Sequence, residues 1–128
     1  MIAFRIDPRT GVAPYLQLVH QVRNSSRLGI LRPGDQLPTV KEVVAQVAIN
    51  PNTVLKAYRQ LELEGLVEGR PGIGTFVTKS LAGESLTAHR QLRGELATWL
   101  ARARRAGLDD ESIEALFADT FRGVEAAA

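Results

Sequence analysis

"INPNTVLKAYRQLELEGLVEGRPGIGTFV", residues 49–77, decides the fold. It opens on a polar Asn-Pro-Asn-Thr run, continues with helical spacing, breaks at Gly65 and closes with two short apolar runs around a glycine-rich tip. Asn50 is a strong N-cap, Pro51 suits a first turn because its φ is already helical, and Gly65 suits the stop. Val54, Tyr58 and Leu61 recur at i, i+4 and i+7, so one face is apolar. At roughly 100° per residue, Asn52, Lys56 and Arg59 point the opposite way, and Leu63 joins them near the far end. The closing "LVEGRPGIGTFV" reads as a β-hairpin whose tip, residues 69–74, carries one arginine, Arg70.

Working outward toward the N-terminus, Thr39 and Glu42 are spaced as a capping box ahead of a stripe of Val40, Val43, Val44 and Val47. Valine is a mediocre helix former, so packing has to hold this helix. Pro33-Gly34 forces a turn before it. An earlier helix opens at Pro14, with Tyr15, Leu18, Val19 and Val22 at helical spacing and Gly29 as its stop. The alternation of Ile2, Phe4 and Ile6 predicts a short strand over residues 2–6.

Toward the C-terminus the pattern is helical twice. His89, Leu92, Leu96, Trp99, Leu100 and Ala103 make one stripe, ending near Gly107. Asp109 is placed to cap a last helix, with Leu108 and Ile113 as a hydrophobic staple. Ile113, Leu116, Phe117, Phe121 and Val124 form its stripe. The boundary between a domain over 1–80 and a helical region over 81–128 is expected at "TKSLAGES", residues 78–85.

Composition bounds the chemistry. The chain has 128 residues, enough for one small domain with an appendage and too few for a large enzyme with a deep pocket. It has no cysteine, which removes disulfides and thiolate metal sites. No apolar run approaches the ~20 residues that span a bilayer, and the N-terminus lacks a signal-peptide pattern. A cytoplasmic location and no membrane partner are expected. The net charge of +2 is uneven: residues 1–80 carry ten Lys/Arg against six Asp/Glu, and residues 81–128 carry six against eight.

Three helices followed by a glycine-tipped hairpin make a winged helix-turn-helix, a mainly α fold with a small β wing. That arrangement gives the polar helix start at residue 50 a purpose. A recognition helix enters the major groove with its N-terminal residues against base edges. Asparagine pairs bidentately with adenine and lysine reaches guanine acceptors. The free amides and positive dipole end of the helix suit phosphate. Arg70 at the wing is suited to a narrow minor groove. Taken singly these residues have plainer uses: Asn-Pro is an ordinary cap, Lys56 and Arg59 an ordinary solvated face, and Thr39 an ordinary cap as well. The ordered set of elements carries the reading.

Other chemistry finds little support. His20 and His89 are isolated, Ser25-Ser26 lack a nucleophile elbow, and "GRPGIGT" lacks the Gly-Lys-Ser/Thr ending of a phosphate loop. No paired acid–base or nucleophile set exists, so neither an enzyme nor a cofactor or metal site is expected.

Residues 31–77, "LRPGDQLPTVKEVVAQVAINPNTVLKAYRQLELEGLVEGRPGIGTFV", resemble the DNA-binding domain of GntR-family bacterial transcription regulators. The Pro-Gly-Asp turn, Leu-Pro-Thr, Lys-Glu, Asn-Thr-Val, Leu-Glu-x-Glu-Gly and Gly-x-Gly-Thr-Phe-Val carry the resemblance, and "NPNTVLKAY" with a short tail resembles the YtrA-type branch. The resemblance implies DNA contacts from Lys41, where the family usually has an arginine, and from Asn50, Asn52 and Thr53 at the recognition-helix start. It implies that Gly72 and Gly74 let the wing backbone approach the minor groove. Leu55 stands where many relatives outside this branch have a second arginine. With Thr39, Lys56, Arg59 and Arg70 these make the expected DNA surface.

The tail has no room for the large ligand-binding or aminotransferase-like domains of other members. Two amphipathic helices cannot cover their own stripes, so Leu92, Leu96, Trp99, Leu100, Ile113, Leu116, Phe117 and Phe121 are expected to form a homodimer, a C-terminal helical hairpin pairing with its copy. The expected function is a homodimeric repressor on an inverted-repeat operator. The branch implies a transporter operon, often with the regulator's own gene. The alternatives are an architectural DNA-binding protein and a winged helix used for protein–protein assembly. A small-molecule effector is left open by the residues.

Overall fold

The computed structural model describes residues 2–82 and 86–127. The chain divides into two compact units, Met1–Leu86 and Thr87–Ala128. In the first unit a short 3-10 turn, Pro8–Thr10, precedes helices α1 (Pro14–Arg27), α2 (Val40–Val47) and α3 (Pro51–Leu63) and strands β1 (Val67–Arg70) and β2 (Gly74–Val77). α1 and α2 both pack on α3, and α3 also packs on β1. The core is apolar: Leu18, Val19 and Val22 of α1, Val43 of α2, and Val54, Ala57 and Leu61 of α3 are buried with Leu37, Leu66, Val67 and Val77. Each buried Val or Leu among them contributes roughly 1.5–3 kcal/mol on leaving water, which is what holds the valine-rich α2.

The start of α3 is built as its sequence predicts. Asn50 is the N-cap, its Oδ1 accepting from the Asn52 N–H at 2.8 Å. The capping box at α2 is complete, with the Glu42 N–H on Thr39 Oγ1 and the Thr39 N–H on Glu42 Oε1, both at 3.2 Å. Between the two helices Ala48 takes a left-handed conformation, φ 52° and ψ 44°. The Tyr58 hydroxyl donates to the Pro38 carbonyl at 2.5 Å, tying α3 to the segment before α2. Burial, with Glu42 adding its charge, pushes that phenol well above its ordinary range.

Arg23 of α1 clamps Glu64 just beyond α3 with two bonds, Nε–Oε1 at 2.7 Å and Nη2–Oε2 at 2.6 Å. The guanidinium holds the Glu64 carboxyl below its usual value, with Gln60 assisting.

The wing strands pair antiparallel with Val67 opposite Val77 and Arg70 opposite Gly74. Residues 34–37 run along the outer side of β2, with Leu37 N–H on Thr75 O and Val77 N–H on Asp35 O, each at 2.8 Å. The wing is therefore anchored to the helical core on both strands.

The segment at residues 2–6 is no strand, contrary to its alternation. Phe4 is buried and Ile2 and Ile6 half-buried, as the pattern requires, but no neighbouring strand is available. Side-chain amides of α1 replace one: Gln21 accepts from Arg5 N–H at 2.9 Å and donates to its carbonyl, and Gln17 does the same for Asp7, accepting at 2.8 Å. At the other end of α1 the buried Ser26 accepts the Leu81 N–H at 2.8 Å, a structural use of that hydroxyl.

The second unit contains α4 (Leu86–Arg105) and α5 (Asp110–Ala127). Asp109 caps α5, accepting the Ser112 N–H at 2.8 Å, and hydrogen bonding from the Ser112 side chain and then its backbone lowers the Asp109 carboxyl from the usual range. Ala103 and Ile113 are buried where the helices meet at their turn. Away from the turn the stripes are open: Leu92, Leu96, Leu116, Phe117 and Phe121 are 44–59 % exposed, while Trp99 and Leu100 are half-buried. Phe117 and Phe121 stack with centroids 6.0 Å apart. The Val124 side chain and residues 83–85 of the boundary lie outside the described residues. No described helix is long and apolar enough to cross a membrane.

Candidate nucleic-acid interface

α3 has a fully packed back and an exposed front. Val54, Ala57, Tyr58 and Leu61 are buried, while Asn50, Asn52, Lys56 and Arg59 are exposed and Thr53 is half-buried. The polar row at the helix start is thus held by a rigid support, which is what reading base edges requires. Leu63 also faces out, 84 % exposed, and no contact accounts for it.

Between the front of α3 and the wing lies a groove of about 300 Å³, lined by Thr39, Leu55, Arg59, Glu62, Gly74 and Thr75 among others. It continues along the wing past Arg70 and Gly72. Five of the ten expected DNA contacts, Thr39, Arg59, Arg70, Gly72 and Gly74, therefore lie along one continuous surface, open over the wing. Asn50, Asn52 and Thr53 stand at the start of α3, and Lys41 is exposed in the first turn of α2.

Two cations are less free than their positions suggest. The Lys56 ammonium lies 4.0 Å from the centre of the Tyr15 ring on α1, a cation–π contact. The Arg70 guanidinium lies 4.5 Å from the Phe76 ring centre and 3.8 Å from Glu68, so it folds back on the sheet from the last position of β1. Gly74 has a reason internal to the chain as well: a Cβ there would lie 2.5 Å from Gln36 Nε2.

Glu62 is a site residue that sequence reasoning missed. Its Oε1 accepts the Gly69 N–H at 2.7 Å, which pins the outer end of the wing to α3. Its i+3 spacing from Arg59 placed it on the groove side, but a bond to a backbone amide seven residues on has no periodic signal. Gln36 and Tyr15 escaped for the same reason. Among the described residues no group of His, Cys, Asp and Glu is arranged to hold a metal.

Residues 14–77 match the family described as bacterial regulatory proteins, gntR family. The chain belongs to that family. It is a DNA-binding transcriptional regulator of the GntR type, and the family is not enzymatic. It is 35% identical over 111 residues, 85% of each chain, to the HTH-type transcriptional repressor YtrA of Bacillus subtilis. Among solved structures it is similar to YtrA of Sulfolobus acidocaldarius, a GntR-family transcription factor, at a TM-score of 0.54 and 25% identity, covering 95% of this chain and 99% of that one. It is also similar to the AraR DNA-binding domain in complex with operator ORX1, at a TM-score of 0.52 and 26% identity, covering 59% of this chain and 93% of that one. The GntR match spans α1 through β2, the elements that carry the groove and the start of α3.

Proposed function

We propose that this GntR regulator is a homodimeric repressor that binds an inverted-repeat operator through residues 39–59 and the wing at 70–75, and pairs through residues 84–124. The DNA-binding domain is residues 1–80 and the dimerisation region is residues 81–128. The observation that carries the reading is the exposed Asn52 and Arg59 on α3, backed by a fully buried face and flanked by an anchored wing. The printed role of its Bacillus subtilis relative as a repressor supports the sign of regulation. The bound operator of the AraR domain supports a duplex partner. The exposed apolar stripes of α4 and α5 support a second copy as their cover. Two-fold pairing presents two α3 helices to half-sites separated by about one helical turn or a multiple of it.

Binding to the DNA upstream of its own gene, against a shuffled duplex and across a salt series, tests this. The native fragment should bind at least ~10³-fold more tightly, with affinity falling as salt rises. Asn52→Ala should lose roughly 1–3 kcal/mol if the amide reads a base. Equal affinity for every duplex, after selection from random sequences as well, would make the protein an architectural factor. Absence of binding to any duplex at physiological salt would make the winged helix a protein-assembly module.

A further inference from the structure

The front of α3 has two unlike flanks. At roughly 100° per residue, Leu55 and Glu62 fall on one side of the Asn52–Arg59 line, and Lys56 and Gln60 fall on the other. The first side faces the wing, since Leu55 and Glu62 line the groove with Gly74 and Thr75. The second side faces α1. Gln60 donates to Glu64, which Arg23 of α1 clamps, and one turn nearer the start of α3 Lys56 meets Tyr15 in the first turn of α1.

Lys56 is held without being neutralised. Its ammonium lies 4.0 Å from the Tyr15 ring centre, and among the described residues it makes no ion pair and no hydrogen bond. The ring is a fixed support, because Tyr15 is half-buried and packed against the core. The ammonium therefore keeps its three N–H donors for an outside acceptor while the ring limits where it can stand.

A helix with its side chains is about 10–12 Å across, and the major groove is about 12 Å wide. A helix seated there has its front on base edges and its flanks against the two phosphate rows that border the groove. For α3 that puts Asn52 and Arg59 on the bases and the wing beside one phosphate row. The Tyr15 ring draws Lys56 toward the other row and away from the bases.

We propose that Tyr15 is a positioning residue of the DNA interface: its ring holds the Lys56 ammonium at the α1 flank of α3, where Lys56 neutralises a backbone phosphate and reads no base. This rests on the reading of α3 as the recognition helix, and it replaces the guanine contact that the sequence position of Lys56 suggests. A lysine in this role acts as a point charge, adding affinity and register without sequence preference.

Fluorescence anisotropy with the full chain tests this, using a duplex selected from random sequences and a shuffled control across a salt series. Lys56→Ala should weaken both duplexes by the same factor and lower the slope of log K against log[salt] by about 0.9 per bound subunit. Tyr15→Leu should weaken both roughly two- to fivefold per bound subunit, the worth of an exposed cation–π contact, while Tyr15→Phe keeps the ring and the affinity. On the Lys56→Ala background Tyr15→Leu should cost nothing further, because the ring has no ammonium left to hold. Any core packing that Tyr15→Leu loses is common to both arms of that cycle and cancels. Lys56→Ala weakening only the selected duplex, with the salt slope unchanged, would overturn the proposal by making Lys56 a base reader. An equal Tyr15→Leu loss with and without Lys56 would overturn the positioning role. A wild-type chain that binds neither duplex would instead overturn the recognition-helix reading beneath it.

Discussion

Gly74→Ala should destabilise the first unit by about 1–3 kcal/mol, chiefly through the backbone. Gly74 opens β2 at φ 147°, a conformation that residues with a Cβ rarely adopt. The added methyl meets a second obstacle, Gln36 Nε2 at 2.5 Å and its Cδ at 3.3 Å. The two costs are unequal. Gln36 presents the far end of a flexible side chain, and its bond to the Ile73 carbonyl is long at 3.5 Å. Moving it aside forfeits less than about 1 kcal/mol. The positive φ has no such escape, because β2 is held by Arg70 on one side and by residues 35–37 on the other. Urea unfolding of Gly74→Ala, Gln36→Ala and the double variant separates the two. The single glycine variant should lose 1–3 kcal/mol, and removing Gln36 as well should restore less than about 1 kcal/mol of it. A loss under about 0.5 kcal/mol would refute the backbone argument. Full recovery in the double variant would show that the side-chain contact, not the dihedral, demands glycine.

Ala48→Gly should stabilise the protein by up to about 1 kcal/mol in thermal unfolding, since the left-handed conformation costs alanine roughly 1–2 kcal/mol and glycine's extra chain entropy returns only part of it; a loss of stability would contradict this. Asn50→Ala should cost about 0.5–2 kcal/mol through the lost cap, and Asn50→Asp should retain most of it, as read by the same unfolding curves. The Arg23–Glu64 pair should make stability depend on pH in one direction. The Glu64 carboxyl is depressed in the folded chain from its ordinary 4.5, so its contribution is fully present above that value and is lost as pH falls through the folded pKa. Wild type should therefore exceed Glu64→Gln at pH 7 and the gap should close in acid; a gap that widened below pH 4.5 would reverse the sign of the argument.

What was legible in the chain was what repeats or what caps. The valine stripe of α2, the Val54–Tyr58–Leu61 face of α3, the Thr39–Glu42 box and the Asn50 cap all follow from local spacing, and each is where that spacing puts it. The turn chemistry of residues 69–74 located the wing equally well. The error at residues 2–6 is informative because the alternation was correct. Phe4 is buried, yet Gln17 and Gln21 satisfy the backbone in place of a strand. Alternation reports which side chains are buried, and it carries no information about which donors will meet the backbone.

The same distinction runs through the groove between α3 and the wing. Its polar row could be read from the period of α3, but the groove's shape depends on contacts that no period signals: Glu62 on the Gly69 amide and Gln36 beside Gly74. These are positioning contacts, and they divide the expected DNA residues into two kinds. Gly74 and Asn50 have structural duties that stand without any duplex, so their loss should reach DNA binding through a displaced wing or a frayed helix start. Asn52 and Arg59 are exposed and have no bond from their side-chain ends among the described residues, so their loss should leave stability near wild type while weakening the complex. A residue that lowers affinity and stability together is building the surface; one that lowers affinity alone is touching the DNA.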